Sequence, residues 1–183
     1  MDDSTPDDRL WASPIGRFVA GVRDRSRNPR AMRLLALFAA RRAIACWLLY
    51  CDGTTPVEGI EATERVLERD APVSDLQPFF EPAAPSCQGV PIVDCRACDT
   101  GCAATAVAHM ARLVARGDAR DLALCLSAAD MAFDQSPLAP RDQFRRWLIE
   151  VAVPAALDER TLTEEEQSRF RDYSLDDLGS LPD

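Results

Sequence analysis

The stretch RAMRLLALFAARRAIACWLLY, residues 30–50, decides the fold of this chain. It is rich in Leu and Ala and contains neither Gly nor Pro, the residues that most disfavour a helix interior. The stretch is about long enough to cross a membrane, but Arg41 and Arg42 lie near its centre. Each of these charges would cost about 2.5–3.5 kcal/mol on insertion scales. The stretch therefore predicts a long helix in the core of a globular domain, with no contact to a membrane.

Polar residues followed by proline mark helix starts on both sides of this stretch. Proline is favoured at the first helical position after a polar cap, and Ser13-Pro14, Asn28-Pro29 and Thr55-Pro56 have this form. Further along the chain, Pro154 is predicted to kink or end a helix. The segments with helical apolar spacing are 15–22, 56–69, 100–116, 119–134 and 141–157.

These signals predict an all-α fold for the 183 residues: a single compact bundle of six to eight helices. We assign residues 1–12 to a polar N-terminal arm, 13–160 to the helical domain and 161–183 to an acidic C-terminal tail with one short helix. Within the domain, four prolines predict an irregular loop at about 78–96. Loops of this length are uncommon in compact domains and tend to be functional or mobile.

The basic residues exclude several classes of enzyme. All 21 are arginine, and the chain holds one histidine, His109. A Schiff-base lysine, a P-loop lysine and a two-histidine metal motif are therefore impossible. We find no catalytic constellation in what remains and expect the protein not to be an enzyme.

The net charge of −9 is unevenly distributed along the chain. Residues 9–42 hold nine Arg against a single Asp, whereas residues 43–183 hold twelve Arg against 25 acidic residues. Because an acidic protein repels polyanions, neither nucleic acid nor an anionic membrane is the expected partner.

Five arginines surround the predicted helix start at Asn28-Pro29: Arg23, Arg25, Arg27, Arg30 and Arg33. One interpretation is that they pair with acidic residues of the same fold. The other is a surface for an anion or for the carboxylates of a partner protein. Aromatic residues are absent from 23–33, which argues against single-stranded nucleic acid, because its bases need stacking platforms.

Seven cysteines are many for a chain in which we see no secretory signal. We expect a cytoplasmic protein with reduced thiols or a metal site, and not stable disulfides. The candidate metal ligands are Cys87, Cys95, Cys98, Cys102 and His109. Cys-x-x-Cys brings two thiolates to one zinc ion, and two further ligands would complete a tetrahedron. No cofactor is expected, with zinc as the alternative.

Two other interpretations of these residues stay open. Cys95, Cys98 and Cys102 fall at helical spacing and could simply be the buried face of an Ala-rich helix, or the first two could form a redox dithiol at a helix N-terminus. His109 lies among apolar residues, as structural histidines do. A nucleophilic pair of Cys102 with His109 is conceivable, but the sequence identifies no third group to orient the imidazole.

Three segments of the chain resemble those of a known group of proteins. They are MRLLALFAARRAIAC (32–46), the acidic segment that ends in ERVLER (64–69), and CAATAVA (102–108). Together they resemble a group of uncharacterised Ala/Arg-rich all-helical modules from high-GC bacteria. In that group an LFA…ARRA helix is followed by an acidic helix and by Ala/Cys-rich helices. The likeness covers about residues 30–155; it implies an all-helical fold and assigns no activity or site residue.

Taken together, these features predict a small non-enzymatic protein-interaction module, such as an accessory, adaptor or immunity-type inhibitor of a bacterial system. It would bind another protein through a charged surface. One alternative is a zinc- or thiol-dependent regulator that uses Cys95, Cys98 and Cys102. The other is an anion- or nucleic-acid-binding module that uses the N-terminal arginine cluster.

Overall fold

The computed structural model describes residues 10–26, 28–87, 90–91, 96–134 and 141–170. The helices of these residues are α1 (Pro14–Arg25), α2 (Pro29–Leu48), α3 (Thr55–Leu67), a 3₁₀ helix (Val73–Phe79), α4 (Arg96–Arg116), α5 (Ala119–Ala132), α6 (Arg141–Trp147), a π-helical turn (Leu148–Ala152), α7 (Val153–Leu157) and α8 (Glu164–Ser168). The predicted all-α class is confirmed. The predicted number of helices matches only roughly, because several helical segments are five to seven residues long.

The polar residues predicted to start α1 and α2 do so. The side chain of Ser13 accepts a hydrogen bond from the amide of Gly16, and that of Asn28 accepts one from the amide of Arg30. The prediction for α3 is wrong by one residue, because Thr55 is already helical and Thr54 takes the cap position. The Thr54 hydroxyl donates to a carboxylate oxygen of Glu58 at 2.7 Å, so the first turn is closed by a side-chain pair.

Helix α2 is the centre of the core, as the sequence predicts. Fourteen of its 20 residues are buried, among them every residue from Leu34 to Ala40, and a helix segment that is apolar on every side must be surrounded by other elements. Arg42 is fully buried, with its guanidinium 4.5 Å from the ring of Trp147. Arg41 instead reaches the surface, where Nη1 lies 2.6 Å from Oε1 of Glu64 on α3. None of the described helices is long and apolar enough to cross a membrane.

Helices α4 and α5 form a hairpin around Gly117, whose φ of 76° lies in the left-handed region that glycine adopts without strain. Helix α3 packs closely against the first of them. A Cβ atom at Gly59 would lie 2.8 Å from Cγ1 of Val107, so only glycine allows this approach. The hairpin therefore has a fixed position against α2 and α3, which matters for the cavity described below.

The segment between α3 and α4 contains more regular structure than the predicted loop. The 3₁₀ helix ends at Phe79, and Ser86–Cys87 (β1) pairs with Val90–Pro91 (β2) in an antiparallel bridge. Residues 82–85 between them have no regular secondary structure and pass next to α4 and α5.

The chain after α7 folds back onto the core. Thr163 and Glu166 form a reciprocal capping box at the start of α8. Nε1 of Trp147 donates to the carbonyl of Glu166 at 2.8 Å, and Nη1 of Arg42 donates to the carbonyl of Gln167 at 2.8 Å. Two buried core side chains thus hold the backbone of residues 166–167.

Candidate functional site

The arginine cluster lies where α1 ends and α2 begins. Arg23 and Arg25 belong to the last turn of α1, and Arg30 follows the first residue of α2. Arg23 and Arg25 are exposed and Arg30 is half-buried; we call these three side chains the arginine face. Arg33 is half-buried, and Arg27 lies outside the described residues.

The charges of the arginine face are poorly compensated within the part of the chain that the structure describes. Arg23 approaches only its neighbour Asp24, at 3.6 Å, and Nε of Arg25 donates to the carbonyl of Gly21 at 3.0 Å. Within the described ranges, neither Arg25 nor Arg30 forms an ion pair. Among the described residues, Arg25 and Arg30 thus show no pairing with the acidic remainder of the fold, and that interpretation of the cluster stays a prediction.

Arginines elsewhere in the chain do form ion pairs. Arg141 and Arg145 both contact the buried carboxylate of Asp130, at 2.6 and 2.7 Å. Arg160 lies 2.7 Å from Glu166. Arg17, Arg65 and Arg69 are also exposed without an ion pair among the described residues, so the arginine face is distinguished by the clustering of its arginines at the junction of α1 and α2.

The direction of α2 adds to the positive potential at its start, whereas the C-terminal end of α1 carries the negative end of its own dipole and favours Arg23 and Arg25. The first turn of α2 contains no acidic residue, although the positive end of the helix dipole favours one there. Arg30 instead places a positive charge at this end. The Nε atom of Arg33 is buried and has no hydrogen-bond acceptor among the described residues. An external anionic group near Arg30 would complement the positive end of the α2 dipole.

The predicted metal site stays untested. Cys95 lies outside the described residues, and so do the side chains of Cys87 and Cys98. Among the residues that the structure does describe, no group of three or more His, Cys, Asp or Glu side chains could hold a metal ion. Of the five predicted ligands, the structure describes the side chains of Cys102 and His109.

These two side chains line one cavity of about 540 Å³, which we call the α4–α5 cavity. Residues 82–85 form one wall. The other lining side chains include Cys102, Thr105 and His109 from α4 and Leu124, Ser127 and Met131 from α5. Most of the lining is apolar, with a few hydroxyl, thiol and imidazole groups, as is typical of small-molecule sites.

The imidazole of His109 is held by a carboxylate that the sequence analysis did not identify. Nδ1 of His109 lies 2.8 Å from Oδ1 of Asp121, and both side chains are nearly buried, at 13% and 12% exposure. An ionised carboxylate can only accept, so Nδ1 carries the proton. Asp121 does not line the cavity, which places it behind the imidazole and leaves Nε2 as the ring nitrogen available to a ligand.

A local signal could have identified Asp121. It lies in the first turn of α5, directly after the Gly117 turn that reverses the chain at the end of α4. An antiparallel hairpin brings the first turn of its second helix close to the last turns of its first helix. An acidic residue there is a natural partner for the one histidine of α4.

Cys102 differs from the other cysteines whose side chains are described. Cys46, Cys51 and Cys125 are buried. The Sγ atoms of Cys46 and Cys125 donate to the carbonyls of Ala132 and Ala36. Burial, together with the nearby charge of Asp121, raises the pKa of the Cys125 thiol. Cys102 is half-buried and faces the cavity, so it is the accessible thiol of these four.

Cys102 and His109 do not lie at the same point of the cavity. Seven residues of α-helix rise about 10.5 Å along the axis, whereas direct proton transfer needs heavy atoms about 3 Å apart. A ligand can therefore contact the thiol at one end and the imidazole at the other.

In comparisons with known proteins, the chain matches no family model, no curated protein and no solved structure.

Proposed function

We propose that this chain is a small, cytoplasmic, non-enzymatic protein-interaction module, of the accessory, adaptor or immunity-inhibitor kind. It binds an acidic segment of a partner protein through the arginine face. The observation that carries the proposal is that the exposed Arg25 and the half-buried Arg30 lie together at the junction of α1 and α2, and that neither forms an ion pair within the described residues. Arginine forks bind carboxylates in bidentate geometry, which gives such a contact direction as well as charge.

The charge of the whole chain favours a protein over a nucleic acid. A net charge of −9 repels an extended polyanion, while a short acidic segment contacts only the local positive surface. The resulting association depends on salt, because exposed charges are screened beyond about 8–10 Å at physiological ionic strength. Electrostatic complementarity of this kind contributes mainly to the association rate and to the choice of partner.

The experiment compares two variants of equal charge. Arg25→Gln with Arg30→Gln removes two charges from the arginine face. The control, Arg65→Gln with Arg69→Asn, removes two exposed charges elsewhere; asparagine suits position 69 because its φ is 67°. The probes are a fluorescent octapeptide of glutamate and an eight-nucleotide oligothymidylate, followed by fluorescence anisotropy at low salt.

The proposal expects the glutamate peptide to bind the unmodified chain and the control with equal affinity. Each exposed ion pair contributes about 0.2–1 kcal/mol, so loss of two weakens binding to the first variant by about two- to thirtyfold. Absence of peptide binding, or an equal loss in the control, would overturn the proposal. Tighter binding of the oligonucleotide would favour the anion- or nucleic-acid-binding alternative.

A further inference from the structure

The α4–α5 cavity is not part of the arginine face, and its dimensions and lining suit a small-molecule ligand. Its volume of about 540 Å³ falls within the range of about 300–1,000 Å³ typical of small-molecule sites. The thiol of Cys102 lies at one end and the imidazole of His109, held by Asp121, lies toward the other. An accessible thiol and an oriented imidazole on one apolar cavity are two independent contacts for the same ligand.

The spacing of these two groups limits the ligand. They are separated by about 10.5 Å along the axis of α4, and an extended peptide covers about 3.3–3.6 Å per residue. A molecule of about three peptide units therefore spans the cavity from the sulfur to the imidazole. A peptide group also matches His109 in either protonation state, because it offers both an N–H donor and a carbonyl acceptor to Nε2.

We propose that the α4–α5 cavity is a covalent binding site for a tripeptide-sized thiol, which Cys102 captures as a mixed disulfide while His109 hydrogen-bonds its peptide end. The site is independent of the arginine face, so either proposal can fail alone.

The chemistry is thiol–disulfide exchange with the symmetric disulfide of that small thiol. The Cys102 thiol first loses its proton to solvent. The thiolate then attacks one sulfur of the small disulfide, a new S–S bond forms at Cys102, and the original S–S bond breaks. One small thiolate leaves and takes a proton from solvent. One disulfide is consumed and one is formed, so the exchange needs no further oxidant.

The experiment measures the equilibrium constant for the mixed disulfide at Cys102 with two probes. Oxidised glutathione carries a tripeptide on each sulfur, and hydroxyethyl disulfide carries none. Tryptic peptide mapping with fragment-ion mass spectrometry locates the adducts, because the peptide from Ala97 to Arg112 contains both Cys98 and Cys102. Cys102→Ser must abolish the adduct at this position.

We expect Cys102 to be modified before Cys46, Cys51 and Cys125, with a larger equilibrium constant for the tripeptide probe. His109→Gln should lower the tripeptide constant by about two- to tenfold, the effect of one hydrogen bond, and leave the hydroxyethyl constant unchanged. Met131→Trp tests the same site without a buried substitution, since Met131 is 45% exposed at the cavity. It should lower only the tripeptide constant, whereas Leu48→Trp, at a residue 47% exposed on α2, should lower neither.

Equal constants for the two probes, unchanged by His109→Gln and Met131→Trp, would mean that Cys102 is merely an accessible thiol and would overturn the proposal. Modification of the buried cysteines ahead of Cys102 would overturn it as well. Far-ultraviolet circular dichroism of each variant shows that a changed constant does not come from unfolding.

Discussion

Nδ1 of His109 lies 2.8 Å from Oδ1 of Asp121, and this contact joins the two helices of the α4–α5 hairpin beside the cavity. In the sequence, His109 is surrounded by apolar residues of one helix. In the structure, one of its ring nitrogens is hydrogen-bonded to the carboxylate of Asp121.

The first prediction concerns this contact. Asp121→Ala should lower the free energy of unfolding by about 1–3 kcal/mol, because the nearly buried imidazole loses its hydrogen-bond acceptor. Urea denaturation measures the change. The exposed Glu61→Gln is the control and should stay within about 0.5 kcal/mol. A double-mutant cycle with His109→Gln that gives no coupling energy would contradict the contact.

The second prediction concerns the acid sensitivity of the fold. Burial by itself would raise the pKa of Asp130, but hydrogen bonds from Arg145 and Arg141 outweigh it and hold the pKa below the usual value. A depressed pKa in the folded state stabilises the fold above the ordinary pKa of about 3.8 and loses this contribution as the pH falls through the folded value.

Asp130→Asn tests this directly. At pH 7 it should lower the free energy of unfolding by about 1–3 kcal/mol, since two charge-assisted hydrogen-bond donors lose their anionic acceptor. It should also reduce the loss of stability between pH 5 and the acid range. Unfolding curves at several pH values for the two proteins make the comparison. An unchanged acid slope would show that Asp130 is not the responsible carboxylate.

The third prediction concerns residues 160–170. Trp147→Phe removes the N–H that donates to the carbonyl of Glu166, so the segment should open more often and be cleaved faster by trypsin after Arg160 and Arg169. The partly buried Trp11 supplies the control, Trp11→Phe. Equal cleavage rates in both variants would show that the tryptophan hydrogen bond does not hold the segment.

The fourth prediction separates a thiol site from a zinc site. A zinc-bound Cys102 would be a coordinated thiolate and would react slowly with iodoacetamide until a chelator removed the metal. We expect the purified chain to hold much less than one zinc per molecule, with the same rate of Cys102 alkylation before and after chelation. One zinc per chain, lost in Cys98→Ser, would instead support the zinc-dependent regulator.

The parts of the fold that depend on local chemistry are those that the sequence predicts. The caps at Ser13 and Asn28 require only a polar side chain and its own first turn, and the burial of α2 follows from the apolar residues on every side between Leu34 and Ala40. Pro154 shows the limit of such reasoning. The sequence predicts that it kinks or ends a helix, and the α-helix is interrupted before it: α6 ends at Trp147, and Pro154 lies in the first turn of α7. The sequence does not predict that a π-helical turn at Leu148–Ala152 joins the two, a wider turn that accommodates the missing proline N–H.

The candidate sites also differ in whether local sequence or tertiary packing forms them. Charge counting locates the arginine face, because its members are close in sequence. The His109–Asp121 contact and the role of residues 82–85 as a cavity wall depend on how α4, α5 and the preceding segment pack together. No single helical pattern contains that information, so Cys102 and His109 are predicted individually while the cavity that contains both is not.

The salt dependence of acidic-peptide binding is the most direct measure of whether the arginine face binds a partner. Dissociation constants for the glutamate octapeptide are measured between 20 and 300 mM salt for the unmodified chain, for Arg25→Gln with Arg30→Gln, and for the Arg65 and Arg69 control. If the peptide binds through the arginine face, its affinity falls steeply with salt in the first and third proteins and only weakly in the second. A slope that is the same in all three proteins would contradict binding through the arginine face.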